Sequence, residues 1–202
     1  MGASLRLPAA LVALVAATTL TACSGDDEPK SKDDPAAAAA ADSSVEFRRV
    51  VSTTISEQGC TSAPEKPAAD DCAALTAFTC PADAQDLADS FVIACGTGAY
   101  QHEAYLLGEP EITHGIASAE AGRPESAGGW VIDLQLTDDA GDKLASLTKE
   151  LSGTGRQIAL VQDGQVVTAV APYATIEGGR LQISLGDTTA KAAAALADRL
   201  AG

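Results

Sequence analysis

The groups in this sequence best suited to chemistry are thiols. Of the five cysteines, Cys23 stands apart: it closes the run Leu20-Thr21-Ala22-Cys23, a branched apolar residue and two small ones ahead of a thiol. That is the pattern of a bacterial lipobox, in which the Cys sulfur takes a diacylglycerol and the segment before it is cut away. The preceding segment fits. Arg6 is its one basic side chain, and Leu7 to Leu20 is apolar but too short and too rich in Ala and Thr for a comfortable membrane span. Residues 1–22 read as a lipoprotein signal peptide and Cys23 as the lipidation site.

Cys60, Cys72, Cys80 and Cys95 remain, an even number, which in an exported domain implies two disulfides. Their spacings, 11, 7 and 14 intervening residues without a C-x-x-C pair, do not suit zinc or a redox dithiol. Three connectivities are open. Sequential pairing (60–72, 80–95) and nested pairing (60–95, 72–80) each close loops worth about 2–4 kcal/mol per bridge. The nested pattern is preferred here, because it ties the end of the first strand to the start of the next segment.

Elsewhere the chemistry thins out. Ser146-Leu147-Thr148-Lys149 spells the S-x-x-K of penicillin-recognising enzymes, but the S-D-N and K-T-G elements that complete that site do not occur. His102 and His114 have no cluster of acids around them in sequence, and read as surface loop histidines. Asp138, Asp139 and Asp142 lack the alternating oxygens of a calcium loop. Gly153-Thr154-Gly155 lacks the third glycine of a dinucleotide loop. The expectation is no catalytic residue, no metal and no cofactor.

Composition sets the frame. At 202 residues there is room for one domain, two small ones at most. Thirteen Lys and Arg against 28 Asp and Glu give a net charge of −15. A phosphate-binding surface needs clustered Lys and Arg, so nucleic acid is excluded as a partner, as is charge-driven binding to anionic lipid. Hydrophobic residues at 46% exclude wholesale disorder, and aromatics at 3% require a core of Leu, Ile, Val and Ala. Residues 23–44, rich in Ser, Asp, Lys, Pro and Ala without large apolar periodicity, read as a disordered tether.

The elements that must carry the folded part begin at Val45, with Val45–Val51 read as a strand. Residues 56–99 hold the four remaining cysteines and no long periodic element. Short helices are expected near Asp71–Phe78 and Ala84–Phe91, the latter with Ala84, Leu87, Ala88 and Phe91 on one side. Ile112–Glu120 reads as one strand. Trp130 to Leu136 alternates, with Trp130, Ile132, Leu134 and Leu136 on the core face. Thr137 can cap a helix with Asp138 and Asp139 in its first turn and Ala140, Leu144, Leu147 and Leu151 as its apolar stripe; Gly153 suits the exit. Ile158–Val161 and Val166–Val170 flank Asp163-Gly164, a hairpin signal. Leu181–Leu185 is a further strand. Asp187 can cap a last helix, with Ala192, Ala193, Leu196 and Leu200 facing in. The expected fold class is α+β: a mostly antiparallel sheet of four or five strands, two helices on one face in an order that admits ferredoxin-like packing, and a disulfide-rich insert at 56–99.

From Tyr105 onward the chain resembles the head subdomain of the first extracytoplasmic domain of SecD, the export-assisting membrane protein. The resemblance is carried by Tyr105-Leu106-Leu107-Gly108, Gly129-Trp130-Val131 and the helix from Ala140. It is carried further by Ile158 to Ala169 around Asp163-Gly164, and by Ile176-Glu177-Gly178-Gly179-Arg180-Leu181-Gln182-Ile183-Ser184. It spans about half the chain. Two departures are expected to matter. SecD-like chains continue from such a last helix into membrane helices, whereas this sequence reaches Gly202; and Val170 stands where the family commonly has proline.

The resemblance implies the fold and a polypeptide-facing role, and not a proton-driven motor. Residues 45–202 are therefore expected to be a SecD-head-like, non-enzymatic binding module. Anchored through Cys23 at the extracytoplasmic face of a membrane, it would contact exported polypeptides or the Sec translocase through a sheet face or edge. The alternative is an envelope adaptor or structural lipoprotein that docks on a folded partner through the Cys60–Cys95 insert.

Overall fold

The computed structural model describes residues 45–55, 60–87 and 90–202. The lipobox, Cys23 and the tether lie outside the described residues, as does Ala88 of the second expected short helix.

β1 (Val45–Thr53) is the hub of a six-stranded sheet in the order β2-β3-β4-β1-β7-β8, with β2 Gln85–Asp86, β3 Val92–Cys95, β4 Ala104–Thr113, β7 Ile158–Gln162 and β8 Gln165–Val170. The named strands pair antiparallel. β1 buries Val45 and Phe47, then Val50 and Ser52, and the change of phase falls at Arg48–Arg49, where the register against β4 shifts. The two β1 faces thus serve two cores: Phe47, paired with Leu160, faces one, and Val50, paired with Leu107, faces the other. Asp163 and Gly164 both take positive φ, as the tight β7–β8 hairpin requires.

The sheet curls until its ends meet. Just past β3, Gly96 forms a parallel bridge with Val166 of β8, and Thr97 N–H donates to the Val166 carbonyl at 2.9 Å. A Cβ on Gly96 would sit 2.5 Å from the Tyr100 carbonyl oxygen, so this seam needs glycine. Inside the curl pack Val50, Ala94, Tyr105, Leu107, Ala159, Val161 and Val166. Burial, and then Glu103, push the Tyr105 hydroxyl well above the usual tyrosine range.

A second, three-stranded antiparallel sheet runs β5-β6-β9, with β5 Ile116–Gly122, β6 Trp130–Leu136 and β9 Arg180–Gly186. The main core lies among both sheets and the helices α2 (Asp138–Leu151) and α3 (Ala190–Ala201); it joins Phe47, Ile112, Ile132, Leu134, Leu144, Leu151, Leu160, Ile183 and Leu200. Thr137 caps α2, accepting from Ala140 N–H, and Thr189 caps α3, accepting from Ala192 N–H at 3.1 Å. The α2 stripe is buried as the periodicity requires.

The α+β class, the antiparallel pairing and the disulfide-rich insert are as expected, with these differences. The single expected strand Ile112–Glu120 is two: the chain turns at His114-Gly115, where His114 N–H donates to Val45 and Thr137 N–H to the Gly115 carbonyl, and it leaves one sheet for the other. Both halves are extended, so alternation hides the corner. Where a helix is expected from Ala84, Gln85 and Asp86 instead form a strand that pairs with Ile93 and Val92, and ladder bonds replace helical ones. α1 (Ala69–Ala77) fills the place of the other short helix, its Asp71 carboxylate accepting from Ala68 N–H at 2.8 Å. Thr189, not Asp187, caps α3, which shifts the buried set to Ala193, Ala197 and Leu200 and leaves Ala192 exposed.

The disulfides are sequential, Cys60–Cys72 and Cys80–Cys95, each with Cα atoms 5.7 Å apart, and not the preferred nested pattern. The reason lies in α1 and β3. Cys72 on the first turns of α1 returns to the Cys60 turn. Cys95 ends β3 inside the sheet, 1% exposed, and the chain leaving α1 lays Cys80 against it.

Candidate binding surface

No described cluster of three or more His, Cys, Asp or Glu is arranged to hold a metal ion. Ser146 and Lys149 lie on the exposed side of α2, opposite its buried stripe, and His102 and His114 are both exposed. Thr148, the interior residue of the S-x-x-K run, is fully buried and has a structural use: its hydroxyl donates to the Leu144 carbonyl at 2.8 Å and accepts from Ile176 N–H at 2.9 Å.

That contact helps fasten the β8–β9 connection to α2. Ser152 Oγ donates to the Tyr173 carbonyl at 2.8 Å, and a Cβ on Gly141 of α2 would come within 3.2 Å of the Gly179 Cα. Gly179 itself has φ +63, so the close approach and the backbone both demand glycine there. The fastened loop presents Tyr173 to solvent at 95% exposure, a residue no periodicity in the sequence singles out. Trp130, in contrast, is half-buried at the start of β6 rather than fully in the core.

The same loop delivers the chain to β9, on the outer side of the three-stranded sheet. Alternation sends Ile132, Leu134, Leu136 and Ile183 inward to the core. Outward go two cross-strand rows fixed by the register: Glu120, Asp133 and Gln182, then Ser118, Gln135 and Arg180. The rows are knitted by side-chain bonds. Gln182 Nε2 donates to Asp133 Oδ1 at 2.7 Å, and Arg180 Nε donates to Gln135 Oε1 at 2.9 Å. Gln135 Nε2 in turn donates to the Gly178 carbonyl at 3.2 Å. This face holds hydrogen-bonding groups of both kinds on a rigid support and no arrangement of nucleophile, base and orienting group.

A second depression lies beside the disulfide insert. Pro64 and Glu65 of the insert face β1 and the Thr154–Gln157 turn across a space of about 490 Å³. Arg156 pairs with Glu65 across it, and nearby Arg49 bonds Glu150 through both terminal nitrogens, at 2.6 and 2.8 Å, and Glu111 through Nε. Those bonds raise the Arg49 pKa, with the Glu150 contact leading, and Arg49 holds Glu150 below the usual carboxylate range. Burial, and then the charge of Arg49, lower that of Arg156.

Comparison with known proteins bears on the second half of the chain. Residues 96–202 match the family described as SecDF, P1 head subdomain. Among curated proteins, the translocase subunit SecD of Mycobacterium tuberculosis (strain H37Rv) is 39% identical over 106 residues, 52% of this chain and 18% of that protein. SecD of Prochlorococcus marinus is 33% identical over 103 residues, 48% of this chain and 21% of that one. The chain thus spans about a fifth of the length of these relatives. A solved structure of a membrane component SecDF that enhances protein export overlaps 79% of this chain and 62% of its own, with a TM-score of 0.48 at 20% identity.

Proposed function

The chain belongs to the SecDF P1 head subdomain family, and on that premise we propose that it is a membrane-anchored extracytoplasmic lipoprotein whose folded part is a non-enzymatic module assisting protein export. Residues 1–22 are the signal peptide, Cys23 carries the lipid, and residues 23–44 are the tether. Residues 45–202 contact exported polypeptides or the Sec translocase through the three-stranded sheet. The observation that carries the reading is that β5, β6 and β9, with their exposed polar face, all fall within the family match. In this reading Cys23 is the attachment point; no helix among the described residues is long and apolar enough to cross a membrane.

The test is equilibrium binding of an unfolded secretory polypeptide to the full chain. Saturable binding at concentrations on the order of tens of micromolar, the regime of weak transient contacts, is expected. No binding there, with the protein folded, contradicts the reading. A second reading, an envelope adaptor gripping a folded partner, is favoured by one observation: the Cys60–Cys95 insert, whose Pro64 and Glu65 form one wall of the depression, precedes the matched residues. Deleting the insert then abolishes partner capture and leaves the three-stranded sheet folded.

A further inference from the structure

The described strand edges differ in how they are protected. The β8 edge is met by the Gly96 bridge, and β2 is two residues long. α3 packs along β5, less closely on β6 and least on β9. β9 is seven residues, Arg180-Leu-Gln-Ile-Ser-Leu-Gly, with no proline and a single charge at its first position. Natural edges are usually blunted by such devices, and this one is not.

The register tells which of its groups are unpaired. Leu136 N–H donates to the Gly179 carbonyl at 2.8 Å, and the pairs Gln135/Arg180, Leu134/Leu181, Asp133/Gln182 and Ile132/Ile183 continue in step. Hydrogen-bonded and non-bonded pairs alternate along an antiparallel ladder. Leu181 and Ile183 therefore bond β6, while the N–H and C=O of Arg180, Gln182 and Ser184 point away from it. No described backbone group outside the ladder bonds those three residues.

The flanking side chains set what could add there. On the inner side Ile183 is buried, but Leu181 and Leu185 are only half covered. A strand laid beside β9 would place every second side chain against them. Its other side chains would extend the outer rows, where Glu120 and Asp133 outnumber Arg180, on a chain of net charge −15. A Lys or Arg abreast of Gln182 can reach the Asp133 carboxylate across one intervening strand, because strands lie about 4.8 Å apart.

We propose that the free edge of β9 takes, as a fourth strand, an extended segment of an exported polypeptide in which apolar residues alternate with polar ones and the polar ones include a basic residue abreast of Gln182. This rests on the reading that the domain binds exported polypeptides, and it names the site and the sequence class.

Amide hydrogen exchange on the full chain, read by NMR, tests it with three nine-residue peptides: alternating Val and Lys, the same composition with the valines grouped, and alternating Val and Glu. The Val/Lys peptide is expected to slow exchange at Arg180, Gln182 and Ser184 at least tenfold and leave Leu181 and Ile183 within twofold. The grouped and the Val/Glu peptides bind at least fivefold more weakly. Ser184→Pro removes one outward N–H and weakens binding at least tenfold. Asp133→Asn leaves the backbone untouched and removes the preference for Lys over Glu. Protection at β5 or in the insert, protection that rises with protein concentration alone, or a preference unmoved by Asp133→Asn overturns the proposal. If unfolded secretory chains bind while the β9 amides stay unprotected, the edge is wrong and the export reading stands. If neither peptides nor unfolded chains bind, both fall.

Discussion

The three-stranded sheet with its two helices and the disulfide insert are held by different means. In the first, capped helices press continuous apolar stripes into a shared core: Ala140, Leu144, Leu147 and Leu151 from α2, and Ala193, Ala197 and Leu200 from α3. The insert has a small cluster of Leu75, Phe91, Ile93, Ala104 and Leu106, and two covalent bridges. Where apolar area suffices, the chain needs no cross-link; where it does not, cysteines reduce the entropy of the unfolded segment. The difference also separates two surfaces. The polar face of the sheet rests on a packed support, and the depression by the insert rests on a disulfide-closed turn and an ion pair.

The sharpest way to break the comparison is in the core. Leu144 is 1% exposed between both sheets. Leu144→Ala is expected to cost about 3 kcal/mol by lost transfer energy and cavity formation, seen as a lowered denaturation midpoint for the whole domain. Removing Cys60–Cys72 by a double change to Ala is expected to cost about 2–3 kcal/mol. Amide exchange should place that loss in residues 60–77 and leave the β6 amides protected; equal loss in both regions contradicts the division drawn here.

A smaller effect sharpens the description of the loop that delivers β9. Thr148→Val leaves Ile176 N–H without its acceptor and is expected to cost about 1–2 kcal/mol. The exchange rates of residues 174–179 should rise more than those of α2. The smallest effect is electrostatic. Arg49 lowers the Glu150 pKa, so the pair contributes stability above the unfolded carboxylate range and loses it as pH falls through the lowered folded value. Because Glu150 is exposed, Glu150→Gln should cost about 0.5 kcal/mol at neutral pH, and the difference from the parent should vanish in acid. Urea titrations at several pH values would read it.

Much of this architecture is legible in the residues, and the parts that are not have physical reasons. α2 can be read because capping, first-turn acids and a 3.6-residue stripe agree over fourteen residues. The β7–β8 hairpin can be read because Asp-Gly demands its turn. The corner at His114-Gly115 cannot, since strands on either side keep the same alternation while changing partners. The disulfide pairing cannot, because the spacing of four cysteines is silent on which helix or strand brings them together. Most of the binding face, Asp133, Gln135, Arg180 and Gln182, reads in sequence only as the polar half of two alternating strands. What makes it a surface is the register that aligns β6 with β9 and leaves one edge of β9 unpaired.

The central claim is that the three-stranded sheet, rather than the insert, faces exported chains. The most direct measurement is photocrosslinking in living cells, with a photoreactive residue at Gln182 on the sheet in one strain and at Glu65 in the insert in another. The account predicts nascent secretory chains or translocase subunits trapped from Gln182 and few from Glu65. A single folded envelope protein trapped from Glu65, with nothing from Gln182, would contradict it.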